Sequence, residues 1–248
     1  VIGIDSFNIS TSTGTPNFLE RFWVQDVNDR EEGLFVEFFY DQSDIDPDAG
    51  VRVGDVVTVT GYMQSQGKFT DRTGYRKKLA NAFRCDGGTA MEMHITGSDL
   101  PIANYVDAGF GNAREGTVQA GYWLGGTLVH IPGPVELTVA NPPPFKRISA
   151  IPDDSTYFGF ELDGGVLVNN FYTYDAPYRD GGCDWRKVAL DGGHVTFQDG
   201  ITGIWDTFTH ASCVDGGVAS GCFANAGQIP DTTKTYTYVL YPLSCSDF

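Results

Sequence analysis

The stretch Val51–Tyr62, VRVGDVVTVTGY, reads as a β-strand with a turn on each side. Val57 and Val59 alternate with Thr58 and Thr60, so the run has period two and is β-branched throughout. Such a run suits a pleated, half-buried surface better than a helix. Gly54-Asp55 opens it and Gly61 breaks it, because glycine leaves extended geometry without steric cost. Two strand-like runs precede it, Arg21–Asp26 (RFWVQD) and Gly33–Phe39 (GLFVEFF). The order is an aromatic strand, a short polar turn, an apolar strand, an acidic loop and the Gly-Asp strand.

A looser version of this unit returns in the second half. Tyr157–Leu162 (YFGFEL) parallels RFWVQD, and Gly165–Asn170 (GVLVNN) parallels GLFVEF. Gly193–Phe208 (GHVTFQDGITGIWDTF) parallels the Gly-Asp strand, with Val195 and Phe197 at the alternating positions. Identities agree weakly, but element order and spacing agree, which predicts two similar β units in tandem. The irregular stretch Ser98–Asn112 precedes the boundary, giving domains at residues 1–118 and 119–248. Further strands are expected at Val1–Ser10, Ala90–Ile95, Gly126–Pro132, Val135–Ala140 and Thr235–Tyr241. Asn141–Pro144 (NPPP) stops any element. The best helix candidate is short, Arg76–Phe83 (RKKLANAF).

Composition agrees with an all-β chain that has long loops and little helix. Its 248 residues include 17 Phe, 12 Tyr, 4 Trp and 31 Gly, and only 19% are charged. The net charge of −16 repels phosphate backbones, so nucleic-acid binding is disfavoured. No starting Met, signal peptide or membrane-spanning apolar run is present, and Val1 reads as a processed or trimmed end. Cys85, Cys183, Cys213, Cys222 and Cys245 show no zinc-type spacing. Disulfides in an oxidising, extracellular compartment are the better reading, with reduced thiols as the alternative. Cys213 with Cys222 could close a local loop and Cys183 could then meet Cys245, leaving Cys85 over; sequence does not determine the connectivity.

Four groups of residues carry possible chemistry. Asp44, Asp46 and Asp48 alternate in an acidic loop, as ligands of a hard cation such as calcium would. Pro47 interrupts that loop, however, and Asp favours solvated turns in any case. Lys68, Arg72, Arg76, Lys77 and Lys78 form a basic patch on an acidic protein. It suits a solvated hairpin or head-to-tail contact with another copy, and nucleic acid less well. Phe171, Tyr172, Tyr174 and Tyr178 share one loop that either stacks on a sugar or protein partner or packs on its own barrel. His94, His130, His194 and His210 are isolated from one another, and Asn8-Ile9-Ser10 is a lone glycosylation sequon. No nucleophile, metalloprotease or phosphate-loop motif occurs.

Phe22, Gln25 and Asp26, then Gly33, then Gly54, Asp55, Val57, Val59 and Gly61 resemble the OB-fold domains of secreted bacterial proteins. These include modules beside extracellular nucleases and in surface lipoproteins. ITGIWDTF (201–208) and the closing TYVLYPLSCSDF look like such lipoproteins too. The resemblance implies a five-stranded closed or partly open barrel that serves binding or assembly, and no activity. The matched residues are fold positions rather than site residues.

The expected function is a non-enzymatic extracellular structural or adhesion protein. It would assemble with copies of itself or other surface proteins, for example by strand addition from the N-terminal VIGIDSF segment. The alternative is a monomeric ligand-binding module for carbohydrate or protein. An enzyme or nuclease accessory is the least favoured class.

Overall fold

The computed structural model describes residues 1–10, 16–29, 32–39, 50–66, 76–80, 92–106, 124–140, 159–169, 183, 185–211 and 234–248. They are mostly strand. The first half holds β1 (Gly3–Ser10), β2 (Pro16–Gln25), β3 (Gly33–Phe39), β4 (Val56–Thr60), β5 (Tyr62–Gln66), β6 (Arg76–Ala80), β7 (Glu92–Gly97) and β8 (Tyr105–Val106). The second holds β9 (Thr127–Ile131), β10 (Val135–Val139), β11 (Gly159–Leu162), β12 (Leu167–Asn169), β13 (Thr196–Phe197), β14 (Ile201–Ala211) and β15 (Lys234–Tyr241). One α-helix, α1 (Trp185–Leu190), and short 3-10 turns at Asp163–Gly165 and Cys245–Asp247 complete the described elements.

The strands form a curled, half-barrel arrangement. In the first sheet β1, β2 and β3 are antiparallel neighbours, β3 lies parallel to β6, and β6 is antiparallel to β5. The second sheet repeats this pattern. Its β10, β11 and β12 are antiparallel, β12 lies parallel to β15, and β15 is antiparallel to β14. β9 and β8 extend it beyond β14.

The two halves differ at one place. In the second sheet β13 pairs with β10, helped by the Leu137 amide donating to the Val195 carbonyl at 3.0 Å. A turn at Gly200 (φ 87°) then leads into β14. The bent segment β13–β14 therefore touches both ends of its five-strand set. The counterpart in the first half is β4, Gly61 and β5, and there β4 pairs with β7 instead of β1.

Period-two alternation distributes the side chains among three cores, because successive residues of a strand face opposite sides. Phe22 of β2, Val36 of β3 and Leu79 of β6 face the interior of the first sheet with Val1 and Val51, and Val57, Val59 and Met93 pack against them. Phe160, Val168, Trp205 and Leu240 face the interior of the second sheet. Their neighbours Trp23, Phe35, Leu167, Ile204, Val239 and Tyr241 point the other way and meet Ile2 in a third core between the sheets. Full burial of each such side chain contributes roughly 1.5–3 kcal/mol, and Phe22 and Trp23 are both 0% exposed on opposite faces of one strand.

Polar and backbone contacts fix how the sheets meet. Trp23 Nε1 donates to Asp206 Oδ2 at 2.7 Å inside the third core. Gln25 bridges the halves from its own strand, accepting from the Leu128 amide at 3.0 Å and donating to the Ala103 carbonyl at 3.0 Å. Gly33 has no side chain because the backbone of Gly126 and Thr127 approaches it: a Cβ there would lie 2.6 Å from the Thr127 nitrogen. At the far end, Cys183 and Cys245 form a disulfide with Cα atoms 5.6 Å apart. It joins the start of α1 to the C-terminal turn, where Trp185 meets Phe197 edge-on at 5.7 Å and Phe248 at 6.1 Å.

The helix expected at Arg76–Phe83 is corrected. Arg76–Ala80 is β6, an inner strand hydrogen-bonded between β3 and β5. Two ladders and the burial of Leu79 outweigh the helix preference of Arg-Lys-Lys-Leu-Ala. Conversely, α1 was not expected from its short WRKVAL sequence.

Two outcomes are expected in denaturant titrations. Trp23→Phe removes the indole donor and part of a packed ring, costing about 2–4 kcal/mol, whereas Asp206→Asn keeps an acceptor and costs about 1 kcal/mol. Removing the disulfide by Cys183→Ser with Cys245→Ser opens a loop of sequence separation 62, and costs about 2–4 kcal/mol by the loss of its restraint on the unfolded chain.

Candidate functional site

The Gln-Asp and Gly-Asp pairs build turns. Asp26 Oδ1 accepts from the amides of Asn28 at 2.7 Å and Asp29 at 3.1 Å, and the Asp26 amide donates to the Glu32 carbonyl at 2.9 Å. This closes the loop between β2 and β3 and aims its exposed tip, Val27, outward. Gly54 adopts φ 95°, which only glycine does without strain, and places Asp55 to accept from the Arg52 amide at 2.7 Å. The Arg52 amide is the main cause that holds the Asp55 carboxyl below its ordinary range, against the opposing effect of burial, and the Ser98 hydroxyl adds to it. The Gly54 amide donates to the Val1 carbonyl at 2.9 Å, and the Val1 amine donates to the Asp55 carbonyl at 2.6 Å. Val1 is thereby tied to the turn that leads into β4.

Around these turns lies a groove of about 260 Å³ walled by Val1, Gln25, Asp26, Val27 and the segment Leu100–Ala103. It shares Val1, Gln25, Asp26 and Val27 with a neighbouring hollow of about 440 Å³ that reaches Leu34 and Val57. Val27, Leu100 and Ile102 are exposed on the groove, at 63%, 44% and 36%. Gln25 and Asp26 already spend hydrogen bonds on the fold.

The second candidate feature is a sheet edge. β1 pairs with β2 in unbroken register from Gly3↔Trp23 to Ser10↔Pro16 and, among the described residues, stands at the end of its sheet. Half of its backbone donors and acceptors therefore point away from β2. Soluble monomers blunt such edges with lysine, proline, bulges or short strands. β1 runs for eight residues without lysine, proline or bulge, and Asp5 is its only charge.

Most of the residues singled out from the sequence belong to segments that the structure does not describe. Asp44, Asp46, Asp48, Lys68, Arg72, Phe171, Tyr172, Tyr174, Tyr178, Cys213 and Cys222 are outside the described residues. Arg76, Lys77 and Lys78 stand on inner strand β6. Among the described residues no group of three or more His, Cys, Asp or Glu could hold a metal ion, and no helix is long and apolar enough to cross a membrane. The groove residues Leu100 and Ile102 were not singled out, because isolated apolar residues in an irregular segment carry no periodic signal. Comparison with family models, curated proteins and solved structures finds no match.

Asp55 gives a pH prediction. Its folded pKa is depressed, so its contribution is present above the unfolded aspartate value of about 3.9 and is lost as pH falls through the folded value. Asp55→Asn is therefore less stable at neutral pH and loses less further stability than the parent from about pH 5 to about pH 3, read by thermal melts across pH.

Proposed function

We propose that this chain is a non-enzymatic extracellular structural protein that self-assembles through β-rich edges, as a filament or surface-layer subunit. Its body is two tandem OB-like barrels, divided as residues 1–118 and 119–248. The repeated order of antiparallel, antiparallel, parallel and antiparallel pairings supports the tandem reading. The Cys183–Cys245 disulfide supports an oxidising location. The observation that carries the assembly reading is the regular edge of β1, which has no partner beyond β2 among the described residues. Such an edge offers backbone hydrogen bonds to a further strand whatever its sequence.

The groove beside Val27, Leu100 and Ile102 favours a second reading, a binding module for a protein or glycan that presents an apolar surface. That module would be monomeric and would melt higher with its ligand.

Mass photometry and negative-stain microscopy of natively purified protein separate the two. Assembly predicts filaments, sheets or closed rings, and Ser6→Lys on β1 shifts the population toward single subunits while leaving the melting temperature within a few degrees. A uniform particle near 27.0 kDa would overturn the assembly reading.

A further inference from the structure

We propose, resting on the binding reading of the groove given above, that its occupant is an extended segment of a partner protein that presents a lysine or arginine between two aliphatic side chains on one face. The groove and the neighbouring hollow share Val1, Gln25, Asp26 and Val27, so they form one trough across the end of β2. Leu100, Pro101 and Ile102 wall one part of it, and Leu34, Val56 and Val57 wall the other. Backbone geometry holds the first wall. Asp99 takes φ 60°, and the Leu100 amide then donates to the Gly54 carbonyl at 2.9 Å. Val27, Leu100 and Ile102 are exposed there, and Val53, next to Gly54, is exposed as well. Single exposed apolar side chains are ordinary on a protein surface, whereas several around one hollow mark a contact surface.

The lining favours a peptide over a sugar. Among the described residues no aromatic ring lines either hollow, so none there stacks on a sugar face. Aliphatic walls match aliphatic side chains instead. Charge sets the middle of the occupant. Asp26 is exposed, and its Oδ1 accepts from the amides of Asn28 and Asp29, which fixes the carboxylate in the trough. Its Oδ2 accepts from no donor among the described residues. Asp99, also exposed, adds a second carboxylate beside Leu100. The described cations nearby serve Asp55: the Val1 amine donates to its carbonyl at 2.6 Å, and the Arg52 charge acts on its carboxylate. A carboxylate fixed between aliphatic walls favours a cation over a neutral or acidic group, and the net charge of −16 draws cationic partners and repels acidic ones. An extended segment presents residues i−2, i and i+2 on one face. One cation over Asp26 then places an aliphatic side chain in each hollow.

A peptide array tests it. Short immobilised peptides carry Lys, Arg, Gln, Glu or Leu at the centre, Leu, Val or Ser two positions to either side, and Gly or Ser elsewhere. The full chain is applied, and retention is read as salt is raised. The expected result is retention on peptides with a basic centre and Leu or Val flanks, at least about threefold above the Gln and Glu peptides and falling with salt. Asp26→Asn keeps the turn acceptor, and Asp99→Asn suits φ 60° equally well. Each is expected to cut that preference at least about twofold with little change in melting temperature. Leu100→Ser, at an exposed position, is expected to cut retention at least about fivefold. Equal retention of Lys, Gln and Glu centres, or a preference that survives both Asn variants, would overturn the cationic assignment and leave the binding reading standing. No peptide retention, with a melting temperature raised by a member of a glycan panel in the parent but not in Leu100→Ser, would overturn the peptide assignment alone. Retention of no peptide together with no glycan shift would overturn both.

Discussion

The hydrogen bond from Trp23 Nε1 to Asp206 Oδ2, 2.7 Å long and buried, holds the two β units in one relation. A carboxyl group in an apolar core is tolerated only with donors around it, so the two partners constrain each other's position. Trp23 is also the outward face of the strand whose inward face is Phe22, and Asp206 follows the inward-facing Trp205. A one-residue slip in either strand would exchange those faces and place the polar group in the wrong core. The closeness of the Gly33 and Gly126 backbones and the two hydrogen bonds of Gln25 follow from the same docking.

This explains which sequence signals were legible. RFWVQD, GLFVEFF and VRVGDVVTVTGY gave β2, β3 and β4 because alternation and glycine breaks are local properties. The looser second-half copies gave β11, β12 and the β13–β14 segment in the same order. Arg76–Ala80 misled because its five residues carry a helix-type composition, and its strand state comes from neighbours distant in the chain. The partition of alternate residues into three cores was not legible either, since alternation announces two faces without saying what covers each. Gln25 and Asp26 were read as fold positions, and their hydrogen bonds place them in turns and in the contact between halves.

The candidate site was less legible than the fold for a physical reason. A ligand pocket that concentrates chemistry leaves clustered acids, histidines or cysteines in the sequence. An edge that recruits another strand uses the backbone, which every residue possesses. Its only trace is what β1 lacks, namely lysine, proline and a bulge. The difference between the halves is similarly topological. β10 finds a partner in β13, whereas β1 has none beyond β2 among the described residues.

The most direct measurement is hydrogen exchange on the backbone amides of natively purified protein, compared before and after dilution to single subunits. The account predicts that alternate amides of residues 3–10 are protected in the native material and become exchangeable on dissociation. Equal, fast exchange of the outward amides of β1 in both states would contradict the claim that this edge joins one copy to the next.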